Sequence, residues 1–318
     1  MTESPQYHNG KPILVILFKK GELHDYPLNM RVYRESYFDF FKIAERYFSI
    51  FVVRGVRLYR GRGTFDNGYR YAHGAFSRWR TPIAARVVFD KDGERCLPDQ
   101  GRDWTVVNHP RLARLLHRKE RTHEVFHRYM KAMYRVYTRR GCLRALARLA
   151  GCMAVFKPVD QVGGRGVVIA SKIMLLRKLR SYDGLIEEFI DTSGGIPGLT
   201  PSYHDLRVVI LDGKIIETYI RVPKPGSLIS NFARGGTCHY YPLSKIPRKV
   251  REIAARVDRD FVEFGHRVYS IDFGFEGDTP YIIEMNEQPG LPFREHGMAN
   301  YRRWHRSLLA VLRKAAHN

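Results

Sequence analysis

The stretch Tyr269–Pro292, YSIDFGFEGDTPYIIEMNEQPGLP, decides how this chain is read. Two short apolar runs, Tyr269–Phe273 and Tyr281–Met285, flank the turn-rich Glu276-Gly277-Asp278-Thr279-Pro280, which is the pattern of a β-hairpin. Asp272 falls in the first strand. Glu284 stands near the end of the second, with Asn286 two residues beyond it. Alternation across a strand puts Glu284 and Asn286 on one face, and pairing across the hairpin can bring Asp272 to that face too. Two carboxylates and an amide beside apolar strands read either as an ordinary hairpin with solvated acids or as a hard-cation site. The ion that suits few carboxylates plus phosphate oxygens is magnesium, with manganese as its substitute.

Upstream, Asp205–Leu211 and Lys214–Val222 predict a second hairpin across Asp212-Gly213. Arg207 sits inside that strand pattern and Arg221 at its end; a surface salt bridge between Asp205 and Arg207 is the plain alternative to a role for either. The loop Asn231-Phe232-Ala233-Arg234-Gly235-Gly236 adds a further cation and an amide. Further back, the strand Met153–Pro158 carries Lys157 into Asp160–Gly166, whose Gly163, Gly164 and Gly166 flank Arg165, and Val167–Ala170 returns. Glycines let backbone N–H groups approach anionic oxygens, so this hairpin tip can fold over phosphates. It is no P-loop, because no helix with Lys-Ser/Thr follows. A lysine in an apolar strand needs an anion, and a ligand phosphate is the expected one. Gly184–Ile190 predicts a strand bearing Glu187 and Glu188. Such an inventory suits phosphoryl transfer, where a protein mainly positions groups and neutralises charge.

The rest of the chain supplies scaffolding. Lys11–Lys19, the helical spacing of Tyr33–Tyr47 and Ser49–Val53 predict a parallel strand–helix–strand unit. Gly61-Arg62-Gly63 is expected to be a turn. Ala84–Phe89 and Thr105–Asn108 are expected strands, the latter ending a first lobe. His109–Arg140 reads as helical and basic, with a strand near Met133–Tyr137, and the spacing of Arg111, Arg114, Arg118 and Arg121 predicts one helical face. Leu143–Leu149, Lys172–Arg180, Pro247–Glu263 and Tyr301–Ala316 are expected helices. The fold class is α/β, in three bodies: residues 1–107, 108–192 and 193–318.

The 318 residues carry 54 Lys plus Arg against 32 Asp plus Glu, a net charge of +22. That balance favours polyanionic partners, nucleic acid or an acidic substrate; a generally basic proteome or mere solubility is the plain alternative. No apolar run is long enough to span a membrane, and MTESPQYHNGK lacks a signal-peptide layout. Cys96, Cys142, Cys152 and Cys238 have neither metal-ligand nor disulfide spacing, which predicts reduced thiols and a cytoplasmic location.

Taken in order, these pieces resemble the ATP-grasp superfamily of carboxylate–amine ligases, and within it the branch of the ribosomal-protein glutamate ligase and glutathione synthetase. The matching residues are Arg118–Glu124, Phe156-Lys157-Pro158 with Gly163–Val167, Ile186–Ile190, Asp205-Leu206-Arg207, Asn231 with Arg234-Gly235-Gly236, and Asp272 with Glu284-Met285-Asn286 and Pro289-Gly290. They span more than half of the chain.

The resemblance implies an ATP-grasp fold: a Rossmann-like N-terminal subdomain, then two α+β subdomains clasping ATP. It implies that Lys119 and Lys157 contact ATP, and that Glu187 and Glu188, with the backbone through Ile190, form the adenine hinge. Gly163, Gly164, Arg165 and Gly166 become the lid over the triphosphate. Asp272, Glu284 and Asn286 hold magnesium, while Arg207, Arg221, Asn231 and Arg234 neutralise the transferred phosphoryl group and an acyl phosphate. The implied reaction joins a small-molecule or peptide carboxylate to an amine. Two positions depart from the family pattern: Arg118 stands where an aspartate is usual, and Ile229 where an arginine often is. Two other readings belong beside this one: an idle ATP-grasp relative serving as a basic nucleic-acid scaffold, and phosphoryl transfer to a non-carboxylate acceptor.

Overall fold

A computed structural model describes residues 5–93, 97–98, 100–159, 165–230 and 235–317. Lys11–Phe18 and Ser49–Arg54 run parallel, joined by the helix Arg31–Ala44, and Val87–Lys91 and Thr105–Val107 extend the sheet in parallel. Gly68–Ala72 and Ala75–Trp79 close its other edge antiparallel. Central parallel strands are covered on both faces, hence the unbroken apolar run from Leu14 to Phe18. The helix buries Tyr37, Phe40, Phe41 and Ala44, the i, i+3, i+4, i+7 stripe expected of one packed on a sheet. Gly61–Gly63 does form a turn, between Tyr59–Gly61 and Thr64–Phe65. Gly63 has φ +72°, and a Cβ there would lie 2.7 Å from the Trp104 ring. The strand expected at Ala84–Phe89 is instead two pieces, Ile83–Ala84 and Val87–Lys91, which pair in different sheets.

A second sheet is antiparallel, in the order Met133–Val136, Gly184–Glu188, Met153–Pro158, Val168–Ser171. The helices Arg139–Arg148 and Lys172–Lys178 pack Cys142, Leu146 and Leu175 onto Ala154, Phe156 and Ile186. Alternation leaves Val155, Lys157 and Glu187 on the opposite face.

The third sheet runs Thr237–Tyr240, Lys214–Val222, Asp205–Leu211, Val268–Glu276, Thr279–Asn286. Its last two strands are the expected hairpin, turning at Gly277-Asp278. Leu206, Val208 and Ile210 bury with Leu112, Leu116, Phe126 and the helix Arg248–Asp260. Val209 and Leu211, on the other face, join Trp304, Leu308 and Leu312 of the helix Met298–His317 in one core with Phe40 and Phe41 of the first lobe.

The basic segment after His109 is not one helix. Pro110–His117 and Lys119–Phe126 are separated by an extended Arg118 (φ −99°, ψ 98°), so Arg118 does not share a helical face with Arg111, Arg114 and Arg121. Thr122 Oγ1 donates to the carbonyls of Leu115 (2.9 Å) and Arg118 (3.2 Å) across the break. Leu112, Leu116 and Phe126 must all reach one core, and the change of direction permits it. Cys142, Cys152 and Cys238 are free thiols, and Cys96 lies outside the described residues. Among the described residues no helix is long and apolar enough to cross a membrane.

Candidate functional site

The terminal hairpin sets Asp272 directly opposite Glu284, and Ser270 opposite Asn286, with a register shift just after Asp272. Asn286 Nδ2 donates to Glu284 Oε1 at 3.1 Å. Asp272 is fully buried and held by two arginines: Arg207 donates Nε to Oδ1 and Nη2 to Oδ2, each at 2.5 Å, and Arg221 Nη2 donates to Oδ2 at 2.6 Å. Burial would raise the Asp272 pKa, but Arg207 and then Arg221 outweigh it, and the carboxyl titrates below its usual range. Arg221 also donates to Asp205. The alternative of an Asp205–Arg207 bridge is therefore not what forms. Arg207 and Asp272 are cross-strand partners, as are Asp205 and Arg221, and each arginine takes the carboxylate that the pairing places beside it.

Lys157 has a protein anion, where a ligand phosphate was the expected one: its Nζ lies 2.5 Å from Glu187 Oε2. Lys157 pairs with Leu185 and Val155 with Glu187, so lysine and glutamate are diagonal neighbours on one face. Burial would lower the ammonium pKa; Glu187 and Glu284 outweigh it, and the net shift is upward. Glu187 keeps Oε1 buried without a hydrogen-bond partner, and so does Arg221 with its Nε. Buried polar atoms are rarely left so, and both residues line one cavity.

That cavity, about 1090 Å³, lies where the three sheets meet. Lys119, Lys157, Arg165, Glu187, Glu188, Ile190, Arg221, Asp272, Glu284 and Asn286 all line it. Arg207 stands behind Asp272. Gly166 has φ +68°, with Pro158 where a Cβ would be. Gly163, Gly164, Asn231 and Arg234 lie outside the described residues. Of the two departures, Ile229 lines the cavity, whereas Arg118 is exposed and outside the lining.

Several lining residues escaped the sequence reading. Lys131 bridges Glu188 (3.0 Å) and Glu276 (2.7 Å), its ammonium 4.7 Å from the Tyr281 ring centre. It tethers the second sheet to the terminal hairpin, yet in sequence it is one base among many. The first lobe contributes Lys19, Tyr26, Tyr33 and Lys91. The Tyr26 and Tyr33 rings are 5.6 Å apart, edge to face. Buried Arg54 donates to the carbonyls of Leu23 (2.7 Å), Asp25 (2.7 Å) and Tyr26 (2.8 Å), so one guanidinium shapes the loop that delivers Tyr26. Lys91 Nζ donates to Pro289 O at 3.0 Å, and burial pushes its pKa down to about 8. No periodicity marks these positions.

The described residues hold no cluster of three His, Cys, Asp or Glu groups able to cage a metal. Asp272, Glu284 and Asn286 offer two carboxylates and an amide. This set fits a hard divalent ion that completes its shell with phosphate oxygens and water. The lysines and the spare Arg221 donor fit those same phosphates, and the cavity is large enough for a nucleotide-sized ligand.

Residues 149–299 match the family described as RimK-like ATP-grasp domain. Among curated proteins, the probable alpha-L-glutamate ligase of Halorhodospira halophila is 30% identical over 150 residues, 45% of each chain. The matched stretch thus spans less than half of that relative. Among solved structures, D-alanyl-alanine synthetase A from Vibrio cholerae superposes with a TM-score of 0.62 at 12% identity, covering 97% of this chain and 99% of that one. D-alanine–D-alanine ligase from Bacillus anthracis, complexed with ATP, gives 0.56 at 11% identity over 96% and 98%. At these identities the structural likeness bears on the fold, which is mixed α/β as expected.

Proposed function

We propose that this chain, which carries a RimK-like ATP-grasp domain over residues 149–299, is an ATP- and magnesium-dependent ligase that joins a carboxylate to an amine through an acyl phosphate. One arrangement carries the proposal. Asp272 and Glu284 stand opposite each other at the cavity wall, Arg207 and Arg221 back the first, and the Lys157–Glu187 pair lies close enough to Glu284 for its charge to act on the lysine. ATP supplies a leaving group to an otherwise poor electrophile, with magnesium offsetting phosphate charge. Everything else is the work of the chain's own residues.

Lys119 and Lys157 orient the phosphate tail. Glu187, Glu188 and the backbone through Ile190 seat the base and ribose, and Lys131 keeps Glu188 in place by holding it to the hairpin. Glu284 and Asn286 would help to hold the cation. Asp272 would offer its remaining lone pairs to the cation from a fixed position, because the double hydrogen bond from Arg207 leaves the carboxylate little freedom to rotate. Arg221, with a spare buried N–H, stabilises negative charge growing on the transferred group. The aromatic pair Tyr26 and Tyr33 walls the first-lobe side of the cavity, where we place the acid substrate.

The test is ADP release with amino acids and acidic peptides, alone and in pairs, with hydroxylamine added. Hydroxamate formed in step with ADP, and dependent on magnesium, supports the ligase. ADP released with a phosphorylated alcohol or amine and no hydroxamate would point to transfer onto a non-carboxylate acceptor.

A further inference from the structure

We infer that the outer face of the second sheet's lobe, built by the helices Arg139–Arg148 and Lys172–Lys178, is a docking surface for single-stranded nucleic acid, separate from the nucleotide cavity. From Val136 to Tyr182 the sequence holds one acid, Asp160, against ten Lys and Arg. The two helices lie side by side on the sheet face opposite Lys157 and Glu187. Arg140, Arg144 and Arg148 recur every four residues along the first helix; Arg177 and Lys178 end the second, with Arg180 two residues beyond; all six are exposed.

This pattern works against the fold that carries it. Like charges four residues apart destabilise a helix. Arg139 and Arg140 occupy the first helical turn, where the macrodipole is already positive and no acid compensates. Among the described residues none of the six forms an ion pair, although pairing is common elsewhere in the chain. Arg148, Arg177 and Lys178 lie in last turns, where the dipole favours a cation, and Arg148 sits over the Tyr134 ring; Arg140 and Arg144 have no such offset, and the face as a whole calls for an anion from outside.

The composition selects among polyanions. Five of the six are arginine, whose planar fork binds phosphate in two-point fashion and stacks on bases. Tyr137, 69% exposed beside the first helix, offers a ring already backed by the Arg135 guanidinium at 4.0 Å. Bases stack on such platforms whatever their identity. An anionic membrane would ask for a contiguous outward apolar face. Here the apolar stripes of both helices are spent on the core, and Leu143, Ile173 and Met174 are the exposed aliphatics that remain.

The test uses the full chain and a fluorescein-labelled oligouridylate, with anisotropy read across a salt series. Arg140→Gln/Arg144→Gln/Arg148→Gln should weaken binding tenfold or more and lower the log–log salt slope by about two, since each single-strand phosphate contact contributes about 0.7. A control losing the same charge elsewhere, Arg256→Gln/Arg302→Gln/Arg306→Gln, should change affinity less than twofold. Circular dichroism melts establish that both variants fold, and ADP release should be equal in the patch variant and the parent chain. Equal losses in the two variants, an unaffected patch variant, or capture by phosphatidylserine vesicles without oligouridylate binding would each overturn the assignment.

Discussion

Arg207 holds Asp272 by two hydrogen bonds of 2.5 Å, one to each carboxylate oxygen, from the strand directly beside it. Asp272 is fully buried, so this pairing serves stability as well as any cation. Glu284, partly buried across the hairpin, has no arginine partner: it accepts from Asn286, and its charge supports the Lys157 ammonium from a distance. The two carboxylates should therefore respond differently to loss. Glu284→Gln should abolish magnesium-dependent turnover with little change in unfolding free energy. Asp272→Asn should abolish turnover and also destabilise by about 3–5 kcal/mol, because it strands Arg207 as a largely buried unpaired cation and leaves Arg221 with Asp205 alone. Urea titrations alongside ADP assays separate the cases, and a fully stable Asp272→Asn protein would refute this account of the arginine pair.

Lys157 is neutralised by Glu187 before any ligand arrives. Lys157→Ala should weaken ATP binding by about 10- to 100-fold on the scale of a lost charge-assisted contact worth 1.5–3 kcal/mol. Lys157→Ala/Glu187→Gln should recover fold stability, which removal of the lysine alone reduces, without recovering affinity. Calorimetric titration with ATP reads the first quantity and thermal melting the second. Unchanged affinity in the single variant would remove Lys157 from the site.

Glu217 is buried, and that burial pushes its pKa up to about 7 despite the Asn300 amide and nearby Arg303 and Arg207. Between the ordinary value and about 7 the folded chain binds a proton that the unfolded chain has released. Stability from this group is thus present at low pH and declines as pH rises through that window. Glu217→Gln should remove the decline and gain on the parent chain between pH 5 and 8, by up to about 3 kcal/mol, because each tenfold change in proton affinity on folding is worth about 1.4 kcal/mol. Melting temperatures across that range check it, and parallel curves for the two proteins would contradict it.

Arg54 donates to three carbonyls of the loop that carries Tyr26 to the cavity. Arg54→Met keeps much of the side chain's bulk but leaves those carbonyls without a donor. It should destabilise by about 2–4 kcal/mol, expose the loop to limited proteolysis, and raise KM for the acid substrate more than KM for ATP. Equal effects on both KM values would mean that the loop does not shape the acid's side of the cavity.

The parts legible in the sequence were those with a local pattern. Alternation located the hairpin and set Glu284 and Asn286 on one face; a lysine before a glycine-rich loop marked the strand Met153–Pro158. The break at Arg118 was hidden because no proline or glycine separates Leu116 from Lys119 and the residues around it favour helix. What breaks the helix is the shared core that Leu112, Leu116 and Phe126 must reach. Lys131, Tyr26, Tyr33 and Lys91 were equally hidden, since each reaches the cavity from a different element.

By itself, then, the order of residues determined the hairpins around the site and which side chains stand together on their strands, because those depend on neighbours two to four positions away. Only the tertiary structure decided which charge answers which: that Arg207 takes Asp272 and not Asp205, and that Lys157 already has Glu187. Ion pairs in a buried site are selected by distance across strands, where separations of 30 to 65 residues collapse to a hydrogen bond, and no spacing along the chain records that.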